Sequence, residues 1–331
     1  MNVGILAVGG GIGQSIIKSL KGTKYTTVGI DPNPYAAGLY MADKGRIGTN
    51  CNDKKYIQSL IHICQQEKIK FLFPGLDAEL EPLSNNFTKL KDAGITAIIS
   101  DPAVIELSDD KYKLYEFLKE KGFPYIKTVK SIIEADKEGI ECPVIVKPRL
   151  GGCRSQYVKK CESFKEVDDF IAENKGEYII QEYIEGDEYT CGSVSFNKEV
   201  IGTIIMKRYL RDGDTYKAYV EENDHIDDFL NRLLPSINPF GPCNVQLRIR
   251  DNIPYILEIN ARCSGTTAAR TLAGFNEPEI TCNFLNNNII NYSIKPIAIL
   301  RYWEEKVVEY KDIKELKDEG TTDRGKRWRW K

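Results

Sequence analysis

The chain has 331 residues, 42% hydrophobic and 28% charged, which is enough to build the cores of two ordinary soluble domains. Its net charge is −2 with both signs interspersed, which argues against nucleic acid or an anionic membrane as the main partner. No apolar run approaches the roughly 20 residues of a membrane span, and the N-terminus lacks a signal-peptide pattern, so we expect a cytoplasmic protein.

The cysteines and histidines limit the metal chemistry. Nine cysteines are scattered without a C-x-x-C pair, which indicates reduced thiols. Only His62 and His225 are present, so a multi-histidine site is excluded and any metal is expected to be a hard ion with oxygen ligands. The basic run 324–331 is interpreted as a solvated tail.

The first hundred residues alternate strand and helix patterns. An apolar run, Val3–Val8, ends in a glycine cluster, and a helical pattern follows it. Further strands are predicted at 26–30, 71–73 and 95–99, and this βαβ series predicts a doubly wound sheet. Gln14 occupies the third glycine place of a dinucleotide fingerprint, so that motif fails. Asp31 could still bind a ribose, which leaves a nicotinamide-dependent oxidoreductase as an alternative.

From Ser108 onward the pattern becomes α+β. Ser108 is predicted to cap one helix through Lys121, and a strand over Val144–Lys147 then ends at Pro148. Strands at 178–183, 188–196 and 200–207 follow, then a helix near 226–234 and a hairpin of strands 243–250 and 254–260.

A loop after the strand at 144–147 suits phosphate. Lys147 ends the strand, and Gly151 and Gly152 let backbone N–H groups approach oxygens, while Arg149 and Arg154 add charge. By itself the pattern is equally typical of a solvated Gly-Gly turn.

The segment 181–188 could frame a nucleoside. Gln181 and Glu182 precede the large apolar residues Tyr183 and Ile184, and Glu188 could accept hydrogen bonds from sugar hydroxyls. An exposed hairpin would have the same pattern.

The hairpin near the end of the second half gives the strongest signal. Glu258 and Asn260 are two residues apart and therefore share one face of a strand, and Gln246 on the adjacent strand can oppose them. Leu257 and Ile259 would be buried on the other face. Such oxygen ligands suit Mg²⁺, and Arg262 could stabilise charge on a transferring phosphoryl group. A half-exposed hairpin without metal is the alternative.

Together these motifs resemble the ATP-grasp enzymes of the carbamoyl-phosphate-synthetase-large-chain-like group, which includes the pyrrolysine-pathway ligase. The segments that resemble the preATP-grasp domain are 8–11, 31–34 and 74–80. Asp110-Lys111 resembles the start of the helix that presents the first phosphate-binding lysine, and Lys147-Pro148 resembles the second.

The resemblance assigns roles to the candidate site residues. It implies that Gly151–Ser155 is a mobile loop that folds over the phosphates, and that Gly151, Gly152 and Ser155 bind them. It further implies an adenine hinge at Gln181–Ile184 and a ribose carboxylate at Glu188. It implies the magnesium ligands Gln246, Glu258 and Asn260, which would hold two Mg²⁺ (or Mn²⁺) ions with Glu258 between them. It also implies catalytic roles for Lys147 and Arg262. The N-x-R element is Asn260-Ala261-Arg262 here, where Asn-Pro-Arg is commoner.

The implied architecture is α/β and α+β. A doubly wound, Rossmann-like preATP-grasp domain (1–107) precedes a two-lobed ATP-grasp domain (108–295), and a C-terminal segment (296–331) follows. The small lobe is 108–185, and the large lobe with the metal site is 186–295.

The implied activity is an ADP-forming ligase that activates a carboxylate as an acyl phosphate for an amine or thiol. Its partners would be small molecules, with a homodimer as the default assembly. Alternatives are a carbamoyl- or carboxy-phosphate-forming synthetase and a non-catalytic ATP-binding module. Cys153 and Cys263 are not expected to act, since no histidine is near in sequence. Candidate binders of the substrate carboxylate are Arg149, Arg154, Lys207, Arg208 and Arg211.

Overall fold

The structure is a computed structural model and describes residues 1–151 and 157–323. The first part of the chain alternates strands with helices: β1 (Asn2–Leu6), α1 (Gly11–Leu20), β2 (Thr26–Asp31), β3 (Lys44–Ile47), α2 (Tyr56–Gln66), β4 (Ile69–Phe73), α3 (Leu80–Asn85), α4 (Phe87–Asp92) and β5 (Thr96–Ala97). These strands pair in parallel in the order β3-β2-β1-β4-β5. Apolar side chains of α1 cover one face and those of α2, α3 and α4 cover the other, so the sheet is doubly wound.

A small lobe follows, entered through two helices. Its elements are α5 (Pro102–Asp109), α6 (Lys111–Glu120), β6 (Thr128–Val129), α7 (Ile132–Lys137), β7 (Val144–Pro148), β8 (Lys159–Cys161), α8 (Phe164–Glu173) and β9 (Tyr178–Glu182). The strands form an antiparallel sheet in the order β6-β9-β7-β8. Its core includes Val144, Val146, Val167 and Ile180, contributed by β7, α8 and β9.

The expectation of one helix from Ser108 to Lys121 is wrong. Asp110 has extended backbone angles and separates α5 from α6. Its carboxylate accepts the backbone N–H groups of Tyr112 and Lys113, so Asp110, rather than Ser108, caps the second helix. Lys111 is therefore the first residue of α6.

The large lobe is built on an antiparallel sheet. Its elements are β10 (Asp187–Phe196), β11 (Glu199–Arg211), β12 (Asp214–Val220), α9 (Asp224–Ile237), β13 (Gly241–Arg250), β14 (Ile253–Asn260), α10 (Thr267–Leu272), α11 (Glu277–Leu285) and β15 (Ala298–Leu300). The strand order is β14-β13-β10-β11-β12-β15. Helices α5, α6 and α9 pack on one face, and α10 and α11 pack on part of the other.

The two large sheets are held together by helices and by the end of the chain. The side-chain amide of Asn276 donates to the carbonyl of Ser19 at 2.7 Å, and Thr271 donates to the Ser19 hydroxyl at 2.8 Å. After α12 (Tyr310–Glu319), strand β16 (Thr321–Asp323) pairs antiparallel with β3 and extends the first sheet. The segment 296–331 thus contributes strands to both sheets, and α5 runs through the predicted boundary at 107. The division into three parts stays a prediction.

No helix within residues 1–151 and 157–323 is both long and apolar enough to cross a bilayer.

A buried carboxylate shapes the loop after β4. Glu79, 5% exposed, accepts the backbone N–H groups of Gly75 at 2.9 Å and Leu76 at 3.1 Å. Burial nevertheless raises the pKa of Glu79 from 4.5 to about 7. Because the folded chain holds this proton more tightly than the unfolded chain, ionising Glu79 costs stability as the pH rises from about 4.5 to about 7.

We expect Glu79→Gln to keep both backbone contacts and to remove this pH dependence. Relative to the wild type, the free energy of unfolding of the variant should improve by up to about 3 kcal/mol between pH 4.5 and pH 8. Urea unfolding of both proteins across this range measures the difference. A difference that stays constant with pH would contradict the assignment.

Candidate active site

The pairing of β13 with β14 places the predicted metal ligands together. Gln246 lies opposite Glu258 and Asn244 lies opposite Asn260, so the Gln246, Glu258 and Asn260 side chains share one face of adjacent strands. The register shifts between Gln246 and Leu247, which leaves Leu257 as an extra residue. Ile256 and Ile259 are therefore buried, whereas Leu257 is only half-buried; its predicted burial on the opposite face was wrong because of this bulge.

The three predicted ligands differ in the hydrogen bonds that they already make. Gln246 Oε1 accepts a hydrogen bond from Arg208 Nη2 at 2.7 Å, and Asn260 Oδ1 accepts one from Arg262 Nη2 at 2.9 Å. The Glu258 carboxylate accepts no hydrogen bond from any residue in the described part of the chain. Each amide oxygen keeps a second lone pair, so one carboxylate and two amide oxygens fit a hard cation such as Mg²⁺.

Two lysines from the small lobe face this strand pair. Lys147 Nζ on β7 donates to the backbone carbonyl of Leu257 at 3.1 Å, and Lys111 Nζ donates to the carbonyl of Gly151. Both side chains are nearly buried, and neither forms an ion pair within the described residues. Burial and the nearby Lys111 lower the pKa of Lys147 to about 8, against the opposing effect of Glu258 and Glu188. Such unpaired buried cations favour binding of a polyphosphate.

Gln181, the first residue of the predicted adenine hinge, borders a small cavity. Gln181 on β9 donates to the Thr128 hydroxyl at 2.9 Å, and Ile184 is buried with its carbonyl accepting from Arg248 at 2.8 Å. Glu182 pairs with Arg250 at 3.1 Å, and Lys160 lies over the Tyr183 ring at 4.5 Å. The cavity is lined by Lys111, Leu114, Tyr115, Leu118, Ile126, Gln181, Ile256 and Leu257.

Glu188, the predicted ribose carboxylate, is held between two arginines. Its Oε1 accepts from Arg208 at 2.7 and 2.9 Å, and its Oε2 accepts from Arg248 at 2.9 and 3.2 Å. Burial raises the pKa of Glu188, but the two guanidinium groups outweigh it and hold the pKa below its usual range. A sugar hydroxyl would have to share these oxygens with a guanidinium or displace one.

Arg262 is tied to the first sheet by a residue to which the sequence assigned no role. Asp77 follows β4, and its carboxylate accepts from Arg262 Nε at 2.6 Å and from Nη2 at 2.5 Å. Burial lowers the pKa of Arg262, whereas Asp77 and, after it, Glu258 raise it, with a net increase. The only signal for Asp77 in the sequence was its place in the segment 74–80.

The structure describes some of the remaining predicted site residues and not others. Gly151 adopts a positive φ of 59°, and its N–H donates to Asp109 at 3.0 Å. Gly152, Cys153, Arg154 and Ser155 lie outside the described residues. Arg149 pairs with Asp110 at 2.7 Å and Lys207 pairs with Asp187 at 2.6 Å, so both take part in local ion pairs.

Contacts and burial bear on two further residues of the sequence analysis, Asp31 as a ribose binder and Cys263 as a nucleophile. Asp31 Oδ2 accepts the Gly9 N–H at 2.7 Å and its Oδ1 accepts the Asn33 N–H at 2.9 Å, so both oxygens of this carboxylate already bind the backbone of the loops after β1 and β2. Complete burial raises the pKa of the Cys263 thiol well above its usual value, which disfavours a thiolate nucleophile.

Comparisons with known proteins agree with this architecture. Residues 108–266 match the family model of the ATP-grasp domain, and residues 5–98 match the PylC-like N-terminal domain. The carbamoyl phosphate synthase arginine-specific large chain of Geobacillus stearothermophilus is 24% identical over 294 residues, 79% of this chain. The chain spans only 27% of the length of that relative.

Two solved structures show the same fold. N5-carboxyaminoimidazole synthetase from Staphylococcus aureus, complexed with ADP, is similar over 96% of this chain and 85% of its own, with a TM-score of 0.74 and 20% identity. Biotin carboxylase from Campylobacter jejuni is similar over 88% of this chain and 73% of its own, with a TM-score of 0.68 and 17% identity. The predicted fold class is confirmed.

The buried lysine should carry a stability cost. Because the folded-state pKa of Lys147 is lowered from 10.5 to about 8, the charge destabilises the fold below pH 8 and ceases to do so as the pH rises towards 10.5. We expect Lys147→Met to raise the free energy of unfolding at pH 7 by about 2 kcal/mol after loss of one hydrogen bond. Urea unfolding at pH 7 and pH 10 should show the gain at pH 7 and its disappearance at pH 10. A loss of stability at pH 7 would contradict this account.

Proposed function

We propose that this chain, whose residues 108–266 match the ATP-grasp domain, is a ligase that uses Mg-ATP to activate a carboxylate for attack by an amine. The observation that carries the proposal is the placing of Glu258, which accepts no hydrogen bond in the described residues, between two amide ligands and opposite two buried lysines. The oxygen ligands would bind the positively charged metal ion, and the two lysines would bind the negatively charged polyphosphate.

The residues of the chain have separate tasks in this proposal. Lys111 and Lys147 hold the phosphates, and Gln246, Glu258 and Asn260 hold one or two divalent ions. When bound, Mg²⁺ would neutralise charge on the phosphates and act as a Lewis acid. Arg262, with one N–H of Nη1 not used by Asp77, Asn260 or Cys263, would donate to the transferring phosphoryl group.

The reaction then needs positioning and exclusion of water rather than a covalent residue. The carboxylate of the substrate attacks the γ-phosphorus, ADP leaves, and the resulting acyl phosphate is attacked by the amine, which releases phosphate. Because an exposed acyl phosphate would hydrolyse, the reactants must be shielded from water. Gly151, Gly152 and Ser155 stay predicted phosphate-binding residues. A thiol could replace the amine as nucleophile.

We propose that the adenine ring binds beside Gln181, next to the small cavity that this residue borders, and that Glu182, Tyr183 and Ile184, which follow Gln181 along the chain, take part in holding it. Glu188 would then bind the ribose after exchanging one guanidinium contact for a hydroxyl. We further propose that the protein is cytoplasmic and acts as a homodimer on small-molecule substrates.

A phosphate-release screen tests the function. The wild type and Mg-ATP are combined with amino acids, small carboxylic acids and bicarbonate, each crossed with amines and thiols. We expect turnover that depends on one acid–nucleophile pair and yields ADP rather than AMP. ADP release stimulated by bicarbonate alone would instead favour a carboxy-phosphate-forming enzyme. Tight Mg-ATP binding without phosphoryl transfer to any compound would favour a non-catalytic module.

Glu258→Gln tests the metal site within this screen. Loss of the single carboxylate ligand should reduce turnover by on the order of a hundredfold or more, because charge on the transferring group is no longer neutralised. Glu199→Gln, which removes an exposed carboxylate from β11 of the same lobe, is the matched control and should retain activity. Equal turnover in the two variants would refute the proposed ligand.

Lys147→Met separates binding from folding. This variant, which is expected to be more stable than the wild type, should bind Mg-ADP at least about tenfold more weakly, because it lacks a buried cation that would contact the phosphates. Calorimetric titration measures the affinity, and Lys165→Met on the exposed face of α8 provides the same charge change away from the site. If both variants bind like the wild type, Lys147 does not hold the nucleotide.

A further inference from the structure

The two acidic neighbours of Arg262 compete for one guanidinium. Asp77 receives two of its N–H groups, and Glu258 is the next acidic group to act on its charge. Asn260 Oδ1 and the Cys263 carbonyl accept two more of its five N–H groups. Four of the five N–H groups are therefore used, and none of the four is accepted by Glu258.

Asp77 is held rigidly in position by the loop that carries it. Glu79 accepts the N–H groups of Gly75 and Leu76, which fixes the two residues before Asp77. Gly75 packs so closely on the carbonyl of Leu6, at the end of β1, that a Cβ atom would collide with it. The carboxylate therefore meets Arg262 from a fixed point at the carboxyl ends of β1 and β4.

The ion pair is not needed to join the two parts of the chain. Helix α1 already contacts α10 and the start of α11 through Ser19, Thr271 and Asn276, and Tyr25 donates to Asn283 at 2.8 Å. Asp77 is 51% exposed, so its pairing adds little as a purely structural surface contact. Its distinctive effect falls on Arg262, which is only 8% exposed.

We propose that Asp77 is a positioning residue that keeps the metal site open by drawing Arg262 away from Glu258. Without it, a buried guanidinium beside an unpaired carboxylate would pair with that carboxylate, and Glu258 would be lost as a ligand for a divalent cation. With it, Glu258 stays available, and one N–H of Arg262 is not accepted by any residue in the described part of the chain. This inference rests on the proposed function and assigns to the first domain an indirect part in metal binding, through Arg262.

Binding of ADP with Mn²⁺ and binding of ADP in EDTA test the proposal without knowledge of the substrate. Calorimetry on the full chain gives the Mn²⁺-dependent gain in affinity for the wild type, Asp77→Asn, Arg262→Gln and the double variant. We expect Asp77→Asn to lose at least about tenfold of this gain, with ADP affinity in EDTA unchanged within about twofold. The double variant should recover the gain, since no guanidinium remains to occupy Glu258. Glu81→Gln, an exposed carboxylate on the adjacent α3, should behave like the wild type.

Each other result decides against the proposal. An unchanged gain in Asp77→Asn, or a double variant no better than Asp77→Asn, overturns it. Equal losses with Mn²⁺ and in EDTA, together with a lower melting temperature, would show a role in folding instead. If the wild type itself gains nothing from Mn²⁺, the proposed function fails, and the inference fails with it.

Discussion

The register of β13 against β14 is the constraint on which the site depends. Gln246 and Glu258 are opposite one another only because the strands pair in this register, and Asn260 shares their face because side chains alternate along a strand. The extra residue, Leu257, turns its carbonyl to Lys147 and so links this hairpin to the small lobe. A slip of β14 by one residue would turn Glu258 and Asn260 away from Gln246 and move Ile259 out of the core.

Charge is distributed unevenly around this hairpin. Most carboxylates near the site already have a guanidinium partner: Glu188 has Arg208 and Arg248, Glu182 has Arg250, and Asp77 has Arg262. Glu258 accepts no such contact in the part of the chain that the structure describes, and Lys111 and Lys147 have no carboxylate partner there. Near the site, the described residues thus leave one carboxylate, Glu258, and two cations, Lys111 and Lys147, without an ion-pair partner. A metal-bound polyphosphate would supply the missing opposite charges.

The first sheet takes part in the site rather than only covering it. Asp31 lies at the carboxyl end of β2 and Asp77 follows β4, and these two carboxylates are used differently. Asp31 accepts the backbone N–H groups of Gly9 and Asn33 within the first sheet's own loops, whereas Asp77 reaches across 185 positions of sequence to Arg262. In an open α/β sheet this edge is where ligands bind, and here it meets the N-x-R element of the large lobe.

Much of this was determined by the sequence alone. The βαβ series, the offset of Glu258 from Asn260 and the ordered motifs depend on local periodicity, so the fold class and the shared strand face could be predicted. Local signals were less reliable where a single residue determined the local structure. Asp110 rather than Ser108 caps α6, and a bulge at Leu257 changed which residue is buried. Only the tertiary structure decided which oxygens are occupied, as in the clamp on Glu188 and the pairing of Arg262 with Asp77. Such contacts join segments far apart in the chain, and the spacing of residues in a sequence carries no information about which distant side chains will meet.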